Sequence, residues 1–141
     1  MRKYYLIILV FLFAFSCSKK NKEFEISYVD FFSYNYDDEI ELNANLKLKN
    51  FSSEKQNDYD NLKANVKVII NLYKIISSND SVLIDSKEQT EIFFLYDQDE
   101  EINLEAQFIL PNLDSIELAA SIKAIDLLSN KVATKNKRIR L

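Results

Sequence analysis

Polar and apolar residues alternate with period two through four separate stretches of this chain. Ile40, Leu42, Ala44, Leu46 and Leu48 are apolar, while Glu41, Asn43, Asn45, Lys47 and Lys49 between them are polar. The same alternation runs through Leu62, Ala64, Val66, Val68, Ile70 and Leu72, with Lys63, Asn65, Lys67 and Asn71 interposed. It returns at Ile102, Leu104, Ala106, Phe108 and Leu110, and again at Ile116, Leu118, Ala120, Ile122 and Ala124. Successive side chains of a strand point to opposite faces, so each stretch predicts a strand with one buried and one wet face. Leu46, Val68, Leu104 and Ile122 mark the expected core.

Three further segments read as strands with less regular patterns. Phe24 to Tyr36 is long and aromatic, with an expected bend or bulge midway. Val82 to Leu95 is apolar at both ends and polar from Asp85 to Glu91, which fits one long strand or two short ones. Lys131 to Leu141 is a basic final strand. Turn formers break the chain at Asp37-Asp38, Ser52 to Asn61, Ser77 to Ser81, Asp97 to Glu101, Pro111 to Ser115 and Ser129-Asn130. The Ser52 to Asn61 loop has room for a turn of helix. About seven strands with no convincing helix predict an all-β fold, an antiparallel immunoglobulin-like β-sandwich over residues 24–141. A small closed barrel is the alternative.

Composition sharpens this picture at the turns. The 141 residues include no glycine and a single proline. Positions that need positive φ must then fall to Asn or Asp, which tolerate the left-handed region better than other residues.

The N-terminus has a different character. Arg2 and Lys3 precede an apolar run from Tyr4 to Phe15, then Ser16 and Cys17. A basic start, a short apolar core and a small residue at its end describe a secretory signal peptide over residues 1–16. The run falls short of the roughly 20 residues that span a bilayer. Ala14-Phe15-Ser16-Cys17 resembles the lipobox of bacterial lipoproteins, with Phe15 a departure at the middle position. That resemblance implies that Cys17 is acylated and becomes the first residue of the mature chain, with residues 17–23 as lipidated cysteine and polar tether. Cys17 is the only cysteine, so it has no disulfide partner. A multiply acylated cysteine anchors a chain firmly, since each buried CH₂ adds about 0.8 kcal/mol.

Charge and residue types exclude several functions. Removing Arg2 and Lys3 with the leader leaves 16 basic against 22 acidic residues, a net charge of −6, which argues against a nucleic-acid partner. The chain has no histidine. A Ser-His-Asp arrangement and any His- or Cys-based zinc site are therefore excluded, and without glycine so are the phosphate-binding and dinucleotide-binding turns. A pair of carboxylates acting on a glycoside is the remaining catalytic option, but a small sandwich offers no deep cleft for it. The reading is a non-enzyme without cofactor or metal.

Four clusters carry candidate chemistry. Asp37-Asp38-Glu39 and the acidic turn from Asp97 to Glu101 present carboxylates that fit either calcium ligation or a solvated turn. Lys131, Lys135, Lys137, Arg138 and Arg140 form a basic C-terminal strand, either an electrostatic binding site for anionic head groups or an acidic partner, or a guarded edge. Tyr28, Phe31, Phe32, Tyr34 and Tyr36 form either an aromatic carbohydrate platform or core and rim packing.

The last third resembles a known family. Leu110-Pro111-Asn112, then a period-two strand ending in Ile125-Asp126-Leu127-Leu128-Ser129-Asn130-Lys131, is similar to the final hairpin of the N-terminal sandwich of GWxTD-motif lipoproteins, found notably in Bacteroidota. Asp126, Leu127, Ser129 and Lys131 match; Ile125 stands where that family has Thr, and Asn130 where it has Gly. The GWxTD motif itself does not occur in the chain. The resemblance implies a fold and a compartment rather than an activity. Taken together, these residues suggest a lipid-anchored, non-enzymatic protein of a Gram-negative cell envelope, a binding or assembly module with the membrane and an envelope protein as partners. Ser18, Lys19, Lys20, Asn21 and Lys22 include no acidic residue. By the same resemblance this places the domain at the outer membrane facing the periplasm. The alternative is a surface lipoprotein that binds carbohydrate or another small ligand.

Overall fold

The structure, a computed structural model, describes residues 22–55, 61–97, 99–111 and 117–141. The leader and Cys17 lie outside the described residues. Among the described residues eight strands form, all antiparallel: β1 (Glu25–Asn35), β2 (Glu39–Lys49), β3 (Glu54–Lys55), β4 (Leu62–Ser77), β5 (Asp80–Leu95), β6 (Ile102–Pro111), β7 (Glu117–Asp126) and β8 (Lys131–Arg140). One sheet has the order β1-β2-β6. In the other, β5 pairs with β4 along its length, and β7 followed by β8 lies on the opposite side. The two-residue β3 pairs with Lys63 and Leu62 beyond the end of β7. The chain is thus a β-sandwich of three strands on four, with β3 as an addition that the sequence pattern does not announce. It stands at the start of the loop that had room for a helical turn; residues 56–60 of that loop lie outside the described residues.

The four alternating stretches supply the core. Leu46, Val68, Leu104 and Ile122 are all buried, as are the apolar positions flanking them. Removing each such side chain from water contributes about 1.5–3 kcal/mol. Alanines on β7 make room for larger neighbours: Ala120 lies beside Leu72, and Ala124 beside Val68.

Bulges set the irregular strands. Ser27 is an extra residue of β1, so Ile26 pairs with Leu48 and Tyr28 with Lys47. The bulge falls near the start of the strand rather than midway. It allows both Ile26 and Val29 to point inward. Val82 to Leu95 belongs to one continuous strand, bulged at Ile84, where Leu72 pairs with Asp85 and Tyr73 with Leu83. Its polar middle follows from sheet width, because three strands cannot cover four and the outer strand β5 stays wet.

The β7–β8 turn is built around one carboxylate. Asp126 is the buried charged residue among those described, fully shielded from solvent. Its Oδ1 accepts from the amides of Leu128 at 3.0 Å and Ser129 at 3.4 Å. Its Oδ2 accepts from the Ser129 hydroxyl at 2.6 Å and the Ser52 amide at 2.7 Å. The Leu127 amide donates to the carbonyl of Asn65 at 2.9 Å. Asn130 closes the turn at φ 58°, and Asn50 ends β2 at φ 57°, so asparagine fills the left-handed positions of a chain without glycine.

Burial alone raises the Asp126 pKa, but the Ser129, Ser52 and Leu128 hydrogen bonds outweigh it and hold the carboxyl below its ordinary value. A lowered folded pKa gives stability that is complete above the unfolded value of about 3.9 and is lost as pH falls through the folded value. Denaturant unfolding from pH 7 to pH 2 should therefore show wild type losing stability more steeply below pH 4 than Asp126→Asn. At pH 7 the variant should be less stable by about 2–3 kcal/mol. Parallel pH profiles for the two proteins would contradict the buried-carboxylate account.

Candidate functional site

The strand alternation divides the five basic candidates between two sides of β8. Lys131, Lys135 and Lys137 share the side of buried Ala133 and Ile139, while Arg138 and Arg140 face outward. The five also span the length of the sandwich, so they do not gather positive charge at one end. Lys135 Nζ donates to the Ile26 carbonyl at 3.2 Å, and Lys137 Nζ to the Val29 carbonyl at 3.4 Å. Lys137 also lies 3.7 Å from Asp30. These two lysines bridge β8 to the edge strand β1 of the opposite sheet, and the ammonium groups guard edge carbonyls. Arg138 pairs with Glu117 at 3.5 Å. Lys131 and Arg140 hold no ion pair among the described residues.

Small residues open a trough beside Arg138. Ala119 lies between Tyr73 of β4 and Arg138 of β8, and Ser121 lies between Asn71 and Asn136. The hollow holds about 420 Å³. Outward alanine and serine in a strand were the available sign of it.

The aromatic candidates behave differently. Phe31 points inward and packs against the core, because the Ser27 bulge places it on the parity of Val29. Tyr28, Phe32 and Tyr34 share the outer face of β1, exposed by 43%, 45% and 58%. Tyr36 follows in the turn and is exposed as well. Beside them, β2 presents Glu41, Asn43, Asn45 and Lys47, and β6 presents Ile109, Gln107, Glu105 and Asn103 in register. An outward row rich in amides rather than charges was legible in the alternating pattern but carried no assignment.

This face is ordered by its own hydrogen bonds. Asn43 Nδ2 donates to Glu41 Oε1 at 2.7 Å. The Asn43 bond, then one from Gln107, hold the Glu41 carboxyl below its usual range; partial burial opposes them, and Tyr36 adds a further bond. The Tyr28 hydroxyl donates to Asp30 Oδ2 at 3.2 Å. Partial burial, followed by the hydrogen bond and charge of Asp30, raises the Tyr28 pKa. Lys47 Nζ stands 5.8 Å from the Tyr28 ring centre. A shallow hollow of about 150 Å³ lies between Tyr28, Asn45, Lys47, Asn103 and Glu105. The Asn45 and Asn103 side-chain amides hold no hydrogen bond among the described residues.

The turn from Asp97 to Glu101 uses its carboxylates on its own amides and on the neighbouring Lys22 and Lys49. Glu100 accepts from the Tyr96 amide at 2.9 Å, Asp97 from the Asp99 amide at 3.3 Å, and Glu101 pairs with Lys49 at 2.5 Å. Their oxygens do not converge, and no cluster able to hold a metal ion occurs among the described residues.

No family model matches the chain, and no curated protein gives a significant match. Solved structures of Bacteroides uniformis β-glucuronidase 2 are similar in fold. The enzyme covalently bound to cyclophellitol-6-carboxylate aziridine aligns with TM-score 0.61 at 10% identity, covering 84% of this chain and 14% of that one. A calcium-binding mutant of the same enzyme aligns with TM-score 0.60 at the same identity and coverage. The chain thus corresponds to about 14% of that enzyme's length, and at this identity the likeness establishes the sandwich alone.

The lysine bridge makes a testable difference between substitutions. Lys135→Met with Lys137→Met keeps the aliphatic stems over β1 and should lower stability by roughly 1–2 kcal/mol. Changing both to Glu turns carboxylates toward carbonyl oxygens and Asp30 and should cost more. Denaturation midpoints for the Glu variant equal to wild type would remove the bridge from the account.

Proposed function

We propose that the chain is a lipid-anchored, non-enzymatic protein of a bacterial envelope, held through Cys17 at the outer membrane facing the periplasm and acting as a binding or assembly module. The observation that carries this reading is how the chain enters the fold. Asn50 Nδ2 donates to the Glu23 carbonyl at 2.9 Å, and Lys22 pairs with Asp99 at 3.6 Å, so the entry point is fixed at one end of the sandwich. The β2–β3, β5–β6 and β7–β8 connections share that end. Cys17 is five residues before Lys22, a reach of at most about 18 Å. A lipid on Cys17 would therefore hold this end at the membrane and leave both outer sheet faces and the far end open to partners.

The lack of a catalytic role rests on residue types and on engagement. The chain has no histidine, and Asp30, Glu41 and Glu101 are each held by neighbours. The likeness of the β7–β8 hairpin to that of envelope lipoproteins, with Asp126 and Ser129 at matching positions, supports the compartment.

Mass spectrometry of protein extracted from native membranes should find acylated Cys17 at the mature N-terminus. Cys17→Ala should leave uncleaved precursor or a soluble product in fractionation. Unmodified Cys17, or cleavage at another position, would contradict the anchor. Affinity purification with the anchor intact should return a reproducible envelope partner.

A further inference from the structure

We propose that the outer face of β1, β2 and β6 binds a neutral, extended polysaccharide. Sugar rings pack on Tyr28, Phe32 and Tyr34, and their hydroxyls bond to Asn45, Asn103 and Glu105. This rests on the reading of the chain as a binding module and commits it to the carbohydrate ligand of the alternative reading, naming the face that would hold it.

The chemistry of the face selects this ligand. A pyranose has apolar C–H faces and a rim of hydroxyls. It therefore needs aromatic surface and, beside it, groups that both donate and accept. Tyr28, Phe32 and Tyr34 give the first, at alternate positions of one edge strand. Asn45 and Asn103 give the second, since each side-chain amide offers two donors and an acceptor and neither is used among the described residues. They stand in the next two strands, with Asn45 opposite Glu105 and Asn103 opposite Lys47. Strands lie about 4.8 Å apart, so rings and amides form adjoining rows within reach of one sugar unit. The hollow of about 150 Å³ between Tyr28 and Asn103 gives one unit a concave seat.

The charged groups beside these amides are engaged with partners of their own. Glu41 is held by Asn43, Gln107 and Tyr36, and Asp30 by Tyr28 and Lys137. These bonds leave the rows of β1 and β2 little freedom to collapse onto one another.

Charge and patterning argue against other occupants. Asp30, Glu41 and Glu105 outnumber Lys47 on this face, which disfavours acidic glycans, nucleic acids and phosphorylated ligands. Aromatic residues alternate with Asp30 and adjoin amides, so the face lacks the continuous apolar centre of a protein interface. An open sheet face with no deep cleft suits a chain that extends along it.

The test is native affinity electrophoresis of the full-length protein in mild detergent. Gels would contain a soluble β-glucan, xylan, yeast α-mannan or polygalacturonate. At least one neutral polysaccharide should retard the protein, and polygalacturonate should not. The double variant Phe32→Ala, Tyr34→Ala and the single variant Asn45→Ala should each weaken the retarding interaction at least tenfold. Both alter exposed or half-exposed side chains, so melting temperatures should stay near that of wild type. Lack of retardation by all three neutral polysaccharides would overturn the proposal. So would retardation that survives the double variant, or retardation by polygalacturonate equal to that by the neutral chains. An unmodified Cys17 would remove the anchor and leave this assay unaffected, whereas failure here leaves the anchor standing.

Discussion

Asp126 carries a negative charge into a site closed to solvent, where two amides and a hydroxyl of its own turn and the amide of Ser52 meet it. An isolated buried charge is destabilising by several kcal/mol, so these donors must stay where the carboxylate needs them. Three belong to the β7–β8 turn. The fourth, Ser52, belongs to the segment that leaves the three-stranded sheet after β2 and enters the other sheet at β3. One side chain therefore fixes a hairpin and a crossing between sheets at once. The consequence extends along β8, because the turn sets its register, and register decides which side chains face inward. Lys135 and Lys137 consequently meet the β1 edge, and Arg138 and Arg140 face solvent.

The sandwich was legible wherever one face of a strand meets the core along its full length. The stretches around Leu46, Val68, Leu104 and Ile122 alternate cleanly because each is covered by the opposite sheet. The need for asparagine at positive φ was also legible, and Asn50 and Asn130 meet it. Where a bulge shifts the alternation, the pattern misleads. Ser27 moves Phe31 inward, away from Tyr28, Phe32 and Tyr34, and Ile84 interrupts β5. The strand β3 is two residues long, too short for any period to register.

The candidate site was harder to read than the fold, because its residues were grouped by type rather than by face. Five basic residues in eleven positions looked like one patch, yet alternation divides them into bridging lysines and outward arginines. The Asp126 turn was singled out in the sequence only by a resemblance to a lipoprotein hairpin, and a three-residue spacing between an acid and a serine does not reveal that the acid is buried. Ser52, its fourth donor, is 74 residues away in sequence. The amide row of Asn43, Asn45, Asn103 and Gln107 was present in the alternation, divided between two strands that only the sheet pairing brings together. A sheet of three strands over four leaves the middle of β5 wet, while Ile84, Phe93 and Leu95 still pack against the core. The lysine bridge closes the opposite corner, and the two outer faces remain the surfaces a partner can reach.

Native-state hydrogen exchange at the Ser52 amide tests the Asp126 clamp most directly. Loop amides normally exchange through local fraying at little free-energy cost, whereas core amides exchange only through global unfolding. The account predicts that Ser52 exchanges with the free energy and denaturant dependence of the β4 and β7 core amides. In Asp126→Asn it should fall to the behaviour of a loop. Rapid exchange of Ser52 in the wild-type protein, independent of denaturant, would contradict the claim that Asp126 ties the two sheets together.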